Sequence, residues 1–183
     1  MYDRNGLIEL LREKAIEFGD FTLASGKKAS FYLDCRKVTL DPIGANLVAA
    51  GILELLDGRL PNAIGGMAIG ADPITAAVIT VAGQRKLALK GFIVRKEAKS
   101  HGKGRTVEGP VEPGDTAVIV EDTVTTGGSS LQAIERAEAA GLKVQGVIAI
   151  VDRLEGGAEA FSRAGIDFQT LLTVHDLGLE PAK

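Results

Sequence analysis

The 183-residue sequence predicts an α/β fold, a parallel β-sheet core flanked by helices. Three observations carry this. Apolar β-branched runs alternate with segments of helical period. The connections between them are short. One run, VQGVIAIV at 144–151, is apolar over most of its length, as a central strand covered on both faces should be. Crossovers between parallel strands are right-handed, and loops leaving the strand ends of an open sheet gather on one edge, where ligands bind.

Leu7, Ile8, Leu10, Leu11, Ala15, Ile16 and Phe18 fall at helical spacing and predict an amphipathic helix over 5–18, ended by Gly19. Residues 21–23 and 30–33 read as short strands around a basic turn, Ser25-Gly26-Lys27-Lys28. A plain hairpin with a solvated tip explains that turn as well as a ligand contact does. Asp41-Pro42 supplies an N-cap and a first-turn proline to a helix reaching about residue 56, where Asp57-Gly58 stops it. A buried strand at 63–67 leads into GGMAIGADP at 65–73, which ends in a second Asp-Pro helix start for an alanine-rich helix over 74–83. This turn is either a simple βα connection or an anion cradle.

A strand region at 86–94 runs into RKEAKSHGKGR, residues 95–105, with five Lys/Arg, His101 and two glycines. Such a charge run is commonly a solvated face. At a strand end, cations between glycine hinges also suit a mobile cover over a polyanion. After a turn at 112–115 come a strand over 116–120, a helix over 129–140 and the strand at 144–151, with Asp152-Arg153 at its end. A helix over 155–164, stopped by Gly165, and a strand over 168–174 complete the pattern; His175 is expected at the surface without a task.

The chemistry concentrates in VIVEDTVTTGGSSLQA, residues 118–133. A buried strand ends at two carboxylates, Glu121 and Asp122. A hydroxyl- and glycine-rich turn follows and opens a helix. Unpaired amides at a helix N-terminus, aided by the helix dipole, hold phosphate. Carboxylates beside a phosphate site make sense if the ligand also carries hydroxyls, a metal ion or developing positive charge. A ribose phosphate offers all three.

Composition narrows the classes. A net charge of −3 leaves no global nucleic-acid footprint. The single cysteine, Cys35, cannot form an internal disulfide and suits a reducing cytoplasm. The charged amphipathic start does not resemble a signal peptide, and no segment approaches the roughly 18 apolar residues of a membrane span. The Gly-x-x-x-x-Gly-Lys-Ser/Thr pattern is absent. So are zinc spacing and support for a nucleophilic triad.

On these residues, 118–130 resembles the phosphoribosyl diphosphate (PRPP) motif of type I phosphoribosyltransferases. FTLASGKK at 21–28 resembles the orotate loop of the orotate phosphoribosyltransferases, RKEAKSHG at 95–102 is similar to their catalytic lid, and Asp152-Arg153 matches their base-recognition position. The resemblance covers nearly the whole chain. It implies one phosphoribosyltransferase domain over 1–183, with about 1–40 forming a small hood on the core. It implies transfer of the 5-phosphoribosyl group from PRPP to orotate, giving orotidine 5′-monophosphate and diphosphate, with Mg²⁺ held mainly by PRPP, in pyrimidine biosynthesis. It also implies a homodimer whose lid reaches the neighbouring site.

Carried onto this sequence, Glu121, Asp122, Thr123, Val124, Thr125, Thr126, Gly127, Gly128 and Ser129 take PRPP, and Arg95, Lys96, Lys99 and His101 take its diphosphate. Lys99, His101 and Asp122 are the catalytic candidates, and Thr125 and Arg153 the orotate contacts, with Phe31 and Tyr32 near the base. The loop 68–72 is expected to face the diphosphate. Two departures stand out: Ala24 where some branches carry lysine, and a Glu-Asp pair where others have Asp-Asp. The competing readings are a purine-type phosphoribosyltransferase and a non-catalytic PRPP-sensing regulator. Arg153 argues against the first, since a neutral base needs no carboxylate clamp. The lack of a basic stripe beyond the lid argues against the second.

Overall fold

The structure is a computed structural model that describes residues 2–22, 28–97 and 105–181. The elements are α1 (Arg4–Lys14), β1 (Ile16–Thr22), β2 (Lys28–Leu33), α2 (Arg36–Thr39), α3 (Pro42–Leu55), β3 (Ala63–Met67), α4 (Ala71–Gln84), β4 (Lys90–Val94), β5 (Val107–Glu108), β6 (Thr116–Val124), α5 (Gly128–Ala139), β7 (Lys143–Asp152), α6 (Gly157–Arg163), β8 (Asp167–Thr173) and a closing 3-10 turn (Val174–Leu177).

β1 and β2 form an antiparallel ribbon. The other strands build a six-stranded sheet in the order β5-β4-β3-β6-β7-β8, parallel throughout except for the short edge strand β5. Chain order reverses between β3 and β6: the chain leaves β3 toward β4 and later returns to lay β6 on the other side. Open α/β sheets bind ligands in the crevice at such a point.

Both faces of the sheet are covered. Ile64, Val118, Val120, Ile148 and Ile150 pack with α1, α3 and α4, and the alternate positions Ala63, Ala117, Ile119, Val147 and Ala149 pack with α5 and Phe161 of α6. This is why β6 and β7 read as apolar runs and not as alternating ones. Ile119 and Ile148 are nearly inaccessible, and each such side chain contributes about 1.5–3 kcal/mol by leaving water. The amino-terminal segment joins the same core through Leu7, Leu11, Phe31, Leu33 and Val38.

Several boundaries differ from the sequence expectation. The first helix stops at Lys14, and Ile16–Phe18 belong to β1, where Ile16 pairs with Leu33 and Phe18 with Phe31. Helical spacing continued through these residues, but the partner strand claims them. Strand β4 begins at Lys90 and not at residue 86, because 85–89 complete the turn after α4. Helix α2 and edge strand β5 were not foreseen; each is too short to show a period. The largest difference is in β6. It runs on past residue 120 through the acidic pair to Val124, which pairs with Asp152.

Candidate active site

A cleft of about 290 Å³ opens at the switch point, between the carboxyl ends of β3 and β6 and the segment after β2. Its floor is Glu121, Asp122 and Thr123. One side is Met67, Ala68, Ile69 and Gly70; another is Tyr32, Leu33, Asp34 and Arg36; Lys96 and Ser129 complete the rim. The peptide between Ala68 and Ile69 is cis. A Cβ on Gly70 would lie 3.2 Å from Asp122 Oδ1, so only glycine lets this loop close on the acidic pair without crowding it.

The acidic pair is held by short local bonds. Glu121 is 8% exposed. Its Oε2 accepts from Ser130 Oγ at 3.2 Å and its Oε1 from the Asp122 amide at 3.3 Å. Burial, then the neighbouring Asp122 charge, pushes the Glu121 carboxyl up to about 7. Asp122 Oδ1 accepts from the Thr123 amide at 2.8 Å. Thr123 Oγ1 lies 3.3 Å from Cys35 Sγ, a contact that ties the β2–α2 junction to the floor. Burial raises the Cys35 thiol to about 12, so it stays protonated.

Beyond the floor, Gly127 adopts φ +79 and starts α5, with no side chain among the described residues capping the helix and no acidic residue in its first turn. A Cβ there would sit 3.0 Å from Phe161 Cζ as well as in strained backbone. The first amides of α5 are thus left for an anion, beside the exposed Thr126, Gly128 and Ser129. Val124 differs from its neighbours: its side chain is in the core and its carbonyl accepts from the Arg153 amide at 2.9 Å.

That bond sets Arg153 beside Thr125, adjoining the cleft; neither residue is on the cleft wall itself. Arg153 is 5% exposed. Its guanidinium carbon stands 4.8 Å from the centre of the Phe31 ring, a cation–π arrangement. Its Nε is 2.8 Å from Glu155 Oε1, an ion pair not aligned as a hydrogen bond, and its Nη2 is buried with no hydrogen-bond partner among the described residues. A buried donor without a partner costs about 1–3 kcal/mol, which a planar anionic ligand would recover. The turn that carries it is itself strained: Leu154 has φ +58, held by its amide donating to Asp152 Oδ1 at 2.8 Å.

The basic segment divides. Lys96 lines the cleft. Arg95 is anchored, with its Nε 3.1 Å from Glu108 Oε1, its amide donating to the Thr106 carbonyl and its carbonyl accepting from Arg136 Nη1. Lys99 and His101 lie outside the described residues, as do Ala24, Ser25, Gly26 and Lys27. In the 68–72 loop, Ala68, Ile69 and Gly70 face the cleft. Asp72 has its Oδ1 buried without a hydrogen-bond partner among the described residues, and burial raises its carboxyl. Of the two aromatic candidates, Tyr32 lines the cleft and Phe31 underlies Arg153. Asp34 and Arg36 were not expected on the wall. Their only sequence signal is their position just after a strand that ends at the site. His175 is exposed, as expected.

No protein-family model matches the chain. An orotate phosphoribosyltransferase of Rhodopirellula baltica is 56% identical over 181 residues, covering 96% of this chain and 94% of that one. The orotate phosphoribosyltransferase of Mycobacterium tuberculosis H37Rv superposes with a TM-score of 0.86 at 38% identity in its complex with Fe(III) dicitrate, covering 96% of this chain and 99% of the other. In its complex with PRPP the values are 0.82 and 34%, with the same coverage. With a floor of carboxylates, an uncapped helix start and a buried arginine at the expected places, and with identity of this extent over nearly the full length, the chain belongs to the orotate phosphoribosyltransferase family.

Proposed function

We propose that the protein transfers the 5-phosphoribosyl group of PRPP to orotate, releasing diphosphate and forming orotidine 5′-monophosphate. The observation that carries the choice of base is Arg153: a buried guanidinium stacked on Phe31, with Nη2 lacking a hydrogen bond among the described residues. Orotate differs from uracil by a carboxylate, and a planar fork is the natural partner for one.

The turn 125–129 takes the 5-phosphate on the α5 amides and on the hydroxyls of Thr125, Thr126 and Ser129. Thr123 and Val124 carry the backbone into that turn. Glu121 and Asp122 face the ribose hydroxyls. As the bond from C1 to diphosphate breaks, positive charge grows on the sugar, and Asp122 is a fixed carboxylate that favours it. Thr125 and Arg153 orient orotate for attack on C1. Arg95, Lys96, Lys99 and His101 take the departing diphosphate, and cover over the site excludes water that would attack the same carbon. Among the described residues no group of three or more acidic, His or Cys side chains gathers as an ion site. Two adjacent carboxylates beside a phosphate turn fit Mg²⁺, which takes one or two carboxylates plus substrate phosphates. Glu121 and Asp122 would complete such a site, and the bound ion would supply positive charge against the phosphates.

We read the chain as one domain with residues 1–40 as its hood, acting in the cytoplasm in pyrimidine biosynthesis. No helix among the described residues is long and apolar enough to cross a membrane. A homodimer is supported by the apolar groove between α3 and α4, beside which Leu40 is 73% and Ile43 64% exposed; the shared lid rests on the family resemblance alone.

The test is to mix the protein with PRPP and Mg²⁺ and follow orotate absorbance. Loss of orotate absorbance is expected. Turnover of a purine base with none of orotate would overturn the reading. For the shared site, Lys99→Ala and Arg153→Ala chains are each expected to lose most of their activity and to regain activity when mixed; no recovery despite proven subunit exchange would remove the shared lid.

A further inference from the structure

The residues after β2 bring to the cleft a pair that has no part in the assignments above. Arg36 opens α2, and three bonds fix it to Asp34: Nε to Oδ1 at 2.8 Å, Nη2 to Oδ2 at 3.2 Å, and its own amide to Oδ1 at 3.1 Å. The arginine side chain is 45% exposed, so an unpaired one would wander among rotamers. The carboxylate holds this one in a single direction, and Nη1 makes no hydrogen bond among the described residues. Asp34 is held below the usual carboxylate range chiefly by Arg36, and Arg36 is raised chiefly by Asp34, with smaller effects from Tyr32 and Asp122.

The charge around the cleft makes this cation matter. Its wall carries Asp34, Glu121 and Asp122 on the acidic side, and Arg36 and Lys96 on the basic side. Among the described residues, a polyanion entering there meets carboxylate repulsion that Arg36 and Lys96 offset. Of these two, Arg36 is the one with a planar fork, which binds phosphate oxygens with direction as well as charge. Its place on the wall also selects the part of the ligand. In the reading above the 5-phosphate takes the α5 start, which reaches the cleft through Ser129, and of the residues near the base Tyr32 lines the cleft while Arg153 and Phe31 do not. Arg36 lines the same cleft as Ile69, Gly70 and Lys96, the residues that face the diphosphate in the reading above.

Resting on the PRPP reading, we propose that Arg36, aimed by Asp34, is a direct contact for the diphosphate of PRPP and for the diphosphate product, and so helps the site prefer PRPP over ribose phosphates that lack it. The test compares the parent with Arg36→Gln, in assays of orotate turnover and by titration calorimetry with inorganic diphosphate and Mg²⁺. The variant is expected to raise KM for PRPP and Kd for diphosphate by about ten-fold, the worth of one charge-assisted hydrogen bond. KM for orotate should stay within about two-fold. Arg36→Lys, which keeps the charge without the fork, should fall between. If the Gln variant fails to fold, Arg36→Met, which keeps the aliphatic stem, takes its place. Parent-like diphosphate affinity in the Gln or Met variant, or a change confined to orotate KM, overturns the proposal. A parent that binds diphosphate and turns over a base other than orotate removes the orotate reading and leaves this contact to be decided by the same calorimetry.

Discussion

Two arginines at this site each lie two residues from the carboxylate they pair with, in opposite surroundings. The side chains of Arg153 and Glu155 are both 6% exposed, and their 2.8 Å contact is not aligned as a hydrogen bond. Arg36 and Asp34 are 45% and 18% exposed and meet in a two-pronged bond. Removing two charges from water costs several kcal/mol per ion, so the first pair is held at a cost to stability and is useful chiefly for what it can bind. Water screens the second, and such a pair is worth about 0–1 kcal/mol to folding. Its use is direction. On the proposed assignments, Arg153 would select the base by desolvation, and Arg36 would capture a charged group that is still partly hydrated.

The largest expected effect is at the buried end. Arg153→Ala should lower kcat/KM for orotate by about 100-fold, the scale of losing a buried charged contact, while diphosphate affinity stays near that of the parent. Equal losses for orotate and diphosphate would erase the distinction between the two ends. The ten-fold effect on PRPP described for Arg36→Gln comes next; an effect as large as that of Arg153→Ala would show that exposure does not weaken the outer arginine.

A third prediction concerns the floor between them. Glu121 is pushed from an ordinary value of 4.5 up to about 7, first by burial and then by Asp122. Between these values the folded chain keeps a proton that the unfolded chain has released. The contribution of this group to stability is therefore greatest below pH about 4.5, falls as pH rises to about 7, and is level above. Glu121→Gln removes that slope. Its Tm relative to the parent should rise across this window and then flatten; a difference independent of pH would mean that the carboxyl is not buried in solution. The smallest expected effect is on folding at the outer pair: Asp34→Ala should change stability by less than about 1 kcal/mol in denaturant unfolding, and a larger loss would make this pair structural and not directional.

Most of the architecture was legible because burial on both faces writes itself into β6 and β7 as continuous apolar sequence. The turn that opens α5 was legible because glycine and hydroxyl residues cluster at that strand-to-helix junction. What escaped depended on partners far along the chain. Ile16 continues a helical spacing but pairs with Leu33, and no local pattern announces that ribbon. Glu121 and Asp122 mark the end of the apolar run, yet the ladder to β7 carries the strand past them to Val124. Asp34 and Arg36 are two charges in a polar stretch until β2 docks and turns them toward the cleft.

The position of the acidic pair inside β6 has a consequence for time as well as place. Glu121 pairs with Ala149, and Thr123 with Val151, in the middle of the six-stranded sheet. Groups on such a ladder are freed only by openings that approach global unfolding. Glu121 and Asp122 thus stay in register with β7 for as long as the sheet stays closed, and the spacing of the two carboxylates is as durable as the fold itself.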